Sequence, residues 1–172
     1  KPRCKKISSP QNAIDVCGTG GDKLNTLNIS TAVALIVASC GIPVAKHGNR
    51  AVSSQSGSAD VLLELGVDIQ AEVPEIEKSL RENNLCFMFA PLYHPAFKNI
   101  ATIRSELGIA TIFNFLGPLL NPANTELQLI FTSKKETMLT MLMALQDRQA
   151  SKKVFIVHGL YGMDEATICN KF

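Results

Sequence analysis

A chain of 172 residues, 46% hydrophobic and 19% charged, is long enough to bury one good core and has the make-up of an ordinary globular domain. A formal net charge of +2 is too small to support binding to nucleic acid or an acidic membrane surface, and no apolar run reaches the roughly 18 residues of a membrane span. Cys4, Cys17, Cys40, Cys86 and Cys169 are odd in number, widely spaced and form no CxxC pair, which points to reduced thiols in a cytoplasmic protein.

Residues 1–12 are basic and polar, with Pro2 and Pro10, and read as a connector into a domain spanning 13–172. Ala13–Cys17 is short, apolar and bounded by glycine, as a buried strand should be. Glycines 18, 20 and 21 open a loop, after which Asn28 or Ser30 can cap a helix through Ala32–Ala38 that stops at Gly41. Pro43–Ala45 reads as a second strand ending in a Lys46–Arg50 loop, and Ser58 as the cap of a helix closed by Gly66. Pro74 starts a helix over Glu75–Asn83, and Leu85–Ala90 is a strand stopped by Pro91. Ala96–Leu107 has helical spacing, with Ile100, Ile103 and Leu107 on one face. Asn114–Pro122 reads as irregular, Leu127–Phe131 as a strand, Glu136–Leu145 as a helix and Val154–Val157 as a last strand. The stripe Met138, Met141, Leu142 and Leu145 is expected to pack into the core.

Strands alternating with helices predict an α/β fold: a mostly parallel central sheet flanked by helices on both faces. In such sheets ligands gather beyond the carboxyl ends of the strands, and each polar cluster here directly follows an expected strand.

The clusters themselves favour anions. Glycines 18, 20 and 21 let backbone N–H groups approach a phosphate closely, and the helix beginning near Ser30 adds an N-terminal anion site. Neither a dinucleotide-binding GxGxxG nor a Walker A loop is present. Lys46, His47, Asn49 and Arg50 fall within five residues, followed by Ser53, Ser54, Ser56, Gly57 and Ser58, as in a second hydroxyl-lined anion loop. Two such loops on one crevice would hold two phosphate groups of one ligand. Opposite them, the adjacent Asp164 and Glu165 would suit Mg²⁺, which takes one or two carboxylates plus substrate phosphates, and Asp22 would serve the same end. His94 and Arg104, taken singly, read as structural.

Together, Gly18–Asp22, Asn28–Thr31, Lys46–Arg50 and Ser56–Asp60 resemble the anthranilate phosphoribosyltransferases of tryptophan biosynthesis. The likeness continues through Phe89-Ala90-Pro91, Tyr93-His94-Pro95, Arg104, Phe113–Leu119, Asn121-Pro122 and Gly162–Glu165. The resemblance implies a nucleoside phosphorylase/phosphoribosyltransferase-like catalytic domain. Its reaction would be transfer of 5-phosphoribose from phosphoribosyl diphosphate to the amine of anthranilate, with Mg²⁺ as cofactor. Phosphoribosyl diphosphate would lie against Gly18, Gly21, Asp22, Thr26, Asn28, Ile29, Ser30 and Thr31, and against Lys46, His47, Gly48, Asn49, Arg50, Ala51, Val52, Ser53, Ser54 and Ser58. Anthranilate would meet Gly18, Asn49 and Arg104, and the metal Ser30, Asp164 and Glu165. No catalytic nucleophile is implied.

Gln55 and Ala110 stand where the family commonly carries basic residues. The chain starts at Lys1 rather than Met and stops soon after the acidic loop, so it is expected to be a fragment. It would lack the family's N-terminal helical domain, with its homodimer interface, and the C-terminal part of the large domain. Such a fragment is expected to be inactive alone. Two other readings stand beside the transferase: a non-catalytic paralogue that binds nucleic acid, and a pyrimidine nucleoside phosphorylase.

Overall fold

The computed structural model describes residues 4–19, 27–51, 56–107, 111–148, 153–159 and 162–166. Five strands, β1 (Ile14–Gly18), β2 (Val44–Gly48), β3 (Leu85–Phe89), β4 (Leu127–Phe131) and β5 (Lys153–Val157), form one parallel sheet in the order β3-β2-β1-β4-β5. β1 to β4 are largely buried because helices cover both faces, whereas edge strand β5 leaves Lys153 and Phe155 exposed.

The helices between them are α1 (Ile29–Ser39), α2 (Ser58–Glu64), α3 (Val73–Asn83), α4 (Ala90–Tyr93), α5 (Pro95–Leu107), α6 (Phe113–Leu116) and α7 (Lys135–Arg148), with a 3-10 turn at Gly117–Leu119. Asn28 caps α1: its Oδ1 accepts the Thr31 N–H at 3.2 Å. Past the end of α1, Gly41 turns the chain at φ +82°, a conformation that side chains resist. Pro74 lies in the first turn of α3, where its missing N–H has no partner to lose.

On one face of the sheet Val16, Val44 and Phe131 pack against Ala34 and Ala38 of α1, while Phe87 packs against Ala59 and Leu62 of α2. On the other face Ala45, Cys86 and Met88 meet Ile76 and Leu80 of α3, and Cys17 and Ile130 meet Met141 and Leu145 of α7. Leu80 and Met88 are fully buried, each worth about 2 kcal/mol of apolar burial.

Several expectations change. Pro91 does not simply end β3; it sits in the first turn of α4. The 114–122 stretch is not irregular throughout, since α6 and the 3-10 turn occupy 113–119. Gly57, not Ser58, takes the cap position of α2. In the methionine stripe Met141 and Leu145 are buried but Leu142 is exposed, and on α5 Ile103 and Leu107 are exposed. Among the described residues no helix is long and apolar enough to cross a membrane.

The chain runs from β1 outward to β2 and β3, then crosses back to place β4 on the other side of β1. The strand order therefore reverses between β1 and β4, and the carboxyl ends of those two strands frame the crevice where such sheets take ligands. Three ladders, β1–β4, β2–β3 and β4–β5, are in register over five residue pairs each, whereas β1 and β2 pair only at Ile14 and Val44.

Candidate active site

The reversal point is built from strand ends. Thr19 N–H donates to Phe131 O at 2.9 Å, and the Thr19 hydroxyl lies 3.3 Å from that of Thr132, tying the exits of β1 and β4 together. His158 Nδ1 donates to Thr132 O at 3.0 Å, since a carbonyl can only accept. Gly159 N–H then closes a turn onto Met163 O at 3.0 Å. A Cβ at position 159 would lie 2.5 Å from Glu165 O and 3.1 Å from Met163 Cβ, so only glycine lets the turn close this tightly. The turn returns Asp164 and Glu165 to the sheet: Asp164 Oδ2 lies 3.8 Å from where a Cβ on Gly18 would stand. Asp164 is half-buried and Glu165 buried.

Beside this point α1 begins. Lys46 is buried; its Nζ donates to Val16 O at 2.6 Å and to Ser30 Oγ at 3.2 Å, and Ser30 Oγ donates onward to Asn28 Oδ1 at 3.4 Å. Burial pulls the Lys46 ammonium below its ordinary pKa, with Cys17 and Asp15 opposing the shift. The result places a cation and the first turn of a helix on one side of the crevice.

The second loop is closed at its neck by Asp60. Its carboxylate accepts Gly57 N–H at 2.8 Å, Ala51 N–H at 3.0 Å and Arg50 Nη1 at 3.1 Å. Burial alone would raise its pKa, but the two N–H groups and the guanidinium outweigh that and hold the carboxyl below the usual range. Arg50 also lies over the Phe89 ring, 6.0 Å from its centroid. A Cβ on Gly57 would run into Ala51 N and stand 2.6 Å from Asn49 O, so the neck admits no side chain there. Ser58 Oγ turns back to Asn49 O at 3.4 Å, and Asn49 Oδ1 accepts Arg50 N–H at 2.8 Å.

His47 departs from its neighbours. It lies in β2, one residue after Lys46, and so points to the opposite face of the sheet. There its Nδ1 donates to Gly117 O at 3.2 Å and its ring meets His94 edge-on at 5.0 Å. Burial, then the nearby His94, push its pKa down to about 4.

Gly18, Asn28, Ile29, Ser30, Thr31, Lys46, Gly48, Asn49, Arg50, Ala51, Ser58, Asp164 and Glu165 thus fall at strand exits, at helix starts or in the loops joining them. Gly21, Asp22, Thr26, Val52, Ser53, Ser54, Gln55 and Ala110 lie outside the described residues, as does the side chain of Arg104, whose backbone belongs to α5. Sequence reasoning missed Asp60, Gly159 and Asp15, although a carboxylate inside the apolar run Ala13–Cys17 was itself a signal.

Asp164 offers a hard oxygen donor against a glycine that leaves the approach open, Glu165 next to it in the chain carries a second, buried carboxylate, and Ser30 offers a hydroxyl. An all-oxygen set with few protein ligands fits Mg²⁺ rather than a softer metal. Among the described residues no cluster of three or more His, Cys, Asp or Glu side chains forms a self-sufficient metal cage.

Residues 10–172 match a glycosyl transferase family, in the part described as its a/b domain. The chain belongs to that family. It is similar to the anthranilate phosphoribosyltransferases of Shouchella clausii, 54% identical over 158 residues, and of Rhodospirillum rubrum, 48% identical over 167 residues. These alignments cover 92% and 97% of this chain but 46% and 48% of those proteins, so the chain spans about half the length of the curated relatives it matches. Among solved structures, the anthranilate phosphoribosyltransferase from Thermus thermophilus superposes with a TM-score of 0.84 at 40% identity, covering 95% of this chain and 49% of that one. The enzyme from Saccharomyces cerevisiae in complex with PRPP (phosphoribosyl diphosphate) and Mg superposes with a TM-score of 0.87 at 32% identity, covering 96% and 47%.

Proposed function

We propose that the full-length protein carrying this chain transfers 5-phosphoribose from phosphoribosyl diphosphate to the amine of anthranilate, releasing diphosphate. The observation that carries this reading is the approach of Asp164 to Gly18, beside the Lys46–Ser30 start of α1, at the point where the strand order reverses. Relatives of this α/β domain bear the same activity in their names, and one is solved with PRPP and Mg.

In this reading the diphosphate lies against Gly18, Gly21, Asp22, Thr26 and the first turn of α1 from Asn28 to Thr31, where the positive end of the helix dipole favours negative charge. Lys46 and the residues from Gly48 to Ser54, with Ser58, hold the rest of the donor, while the His47 ring faces Gly117. Arg104 offers a guanidinium fork to the anthranilate carboxylate, near Gly18 and Asn49. Asp164, Glu165 and Ser30 hold Mg²⁺, which when bound neutralises charge on the diphosphate.

The reaction breaks the bond from the anomeric carbon to the diphosphate oxygen and forms one to the anthranilate nitrogen, whose proton leaves to solvent. Negative charge grows on the departing diphosphate. In this reading Lys46 and the loop N–H groups stabilise that charge as it develops. Anthranilate's neutral amine needs no strong base; holding it against the anomeric carbon supplies much of the acceleration.

The chain is then the α/β domain of a larger enzyme whose remaining half supplies the opposite wall of the cleft and the dimer contact, and the isolated chain turns over little or nothing. In the full-length protein, Asp164→Ala combined with Glu165→Ala is expected to lower kcat/KM by about 100-fold or more. Arg104→Ala is expected to raise the anthranilate KM by about tenfold while leaving that of phosphoribosyl diphosphate alone. An unchanged anthranilate KM would remove Arg104 from the site.

A further inference from the structure

The pairing between β1 and β2 stops after Ile14 and Val44, and the His47 N–H, a donor of its next rung, is bonded elsewhere. Ile14 N–H donates to Pro43 O at 2.9 Å, which fixes the hydrogen-bonding pattern of the ladder. Continued by two residues, that pattern would direct Val16 N–H to Ala45 O and His47 N–H to Val16 O. Side chains intervene at each of these positions. His47 N–H is directed to Asp15 Oδ1 at 3.3 Å, Val16 O takes the Lys46 ammonium at 2.6 Å, and Ala45 O takes Asn121 Nδ2 at 2.8 Å.

Asp15 is wholly buried in the middle of β1, and Lys46 is buried in β2. A buried carboxylate beside a buried ammonium is costly to keep, and hydrophobic residues of similar size would let the ladder close at no such cost. The two strands remain in one sheet because β4 and β3 hold them over five residue pairs each from outside. The interruption therefore covers the carboxyl-terminal part of the two strands, which end at Gly18 and Gly48 where the two loops leave the sheet.

We propose that Asp15 is a positioning residue for phosphoribosyl diphosphate: by drawing the His47 N–H away from Val16 O it interrupts the β1–β2 ladder and leaves that carbonyl to hold Lys46 beside Ser30 at the start of α1. Asp15 acts through His47 and Lys46 and touches no substrate. This inference rests on the transferase reading for its ligand, but the interrupted ladder stands without it.

The test compares Asp15→Leu, which removes the acceptor, with Asp15→Asn, which keeps an acceptor oxygen at the same reach, both in the full-length protein. Asp15→Leu is expected to raise the phosphoribosyl diphosphate KM by about tenfold or more, with the anthranilate KM within about twofold, and Asp15→Asn to restore the donor KM to within about threefold. Should the Leu variant not fold, Asp15→Ala carries the same expectation. A crystal structure of the Leu or Ala variant is expected to show a His47 N–H to Val16 O rung. An unchanged donor KM, equal rises in both KM values that Asn does not relieve, or a ladder still open at Val16 would each overturn the role of Asp15. A wild-type protein that releases no diphosphate from phosphoribosyl diphosphate would instead overturn the transferase reading, and the His47–Val16 rung would then decide Asp15 by itself.

Discussion

The His47 imidazole should make the domain lose stability as the pH falls from about 6.5 to about 4. The Gly117 carbonyl can only accept, so Nδ1 carries the proton of the neutral ring, and Nε2 is buried without a partner. A second proton would place charge on that nitrogen with His94 5.0 Å away and no carboxylate bonded to it. The folded state therefore holds the ring neutral down to about 4, while the unfolded chain binds its proton near 6.5. Because the unfolded state binds more protons across that window, stability is complete above pH 6.5 and falls progressively toward pH 4. At roughly 1.36 kcal/mol per pH unit the whole drop is worth about 3 kcal/mol. Urea unfolding of the chain at intervals between pH 7 and pH 4 measures it, with His47→Gln as the control that keeps a donor for Gly117 O but does not titrate. The wild type should lose about 3 kcal/mol more than the variant over this range. Parallel pH dependences for the two proteins would refute the buried neutral ring.

Two further outcomes concern the second loop. Gly57→Ala should cost about 2–4 kcal/mol or prise the loop open, because the new Cβ meets backbone at Ala51, Arg50 and Asn49 that cannot move aside as a side chain would; urea midpoints and the donor KM report both. Asp60→Asn turns one of the acceptor oxygens shared by Gly57, Ala51 and Arg50 into a donor, and should raise the donor KM severalfold in the full-length protein. The same loss should appear in the wild type as pH falls through the lowered pKa of Asp60, since the carboxylate, not the acid, closes the neck. A neck that stays closed in acid, judged by an unaltered donor KM, would count against that assignment.

Much of the site was legible because its signals are local. A short apolar run followed by glycine marks a strand exit, Asn28 ahead of an apolar stretch marks a helix start, and adjacent carboxylates after a strand mark the acidic turn. What stayed hidden depends on partners distant in sequence. Ending the second strand at Ala45 made Lys46 to Arg50 a loop whose side chains could all face one ligand. The strand runs on to Gly48, so its alternation sends Lys46 toward Ser30 and His47 toward Gly117 on the opposite face. Asp15 went unremarked inside a strand read as apolar because its meaning lies in a ladder with β2, thirty residues on. Pro91 marked an end to β3 correctly in kind, but its fixed φ also suits the first turn of a helix, which tertiary packing then supplied.

Diphosphate release by the full-length protein, followed continuously with phosphoribosyl diphosphate and Mg²⁺, tests the central claim most directly. Release should depend on added anthranilate and match phosphoribosylanthranilate formation one for one. Release indifferent to anthranilate, or phosphate-dependent cleavage of a pyrimidine nucleoside in its place, would contradict it.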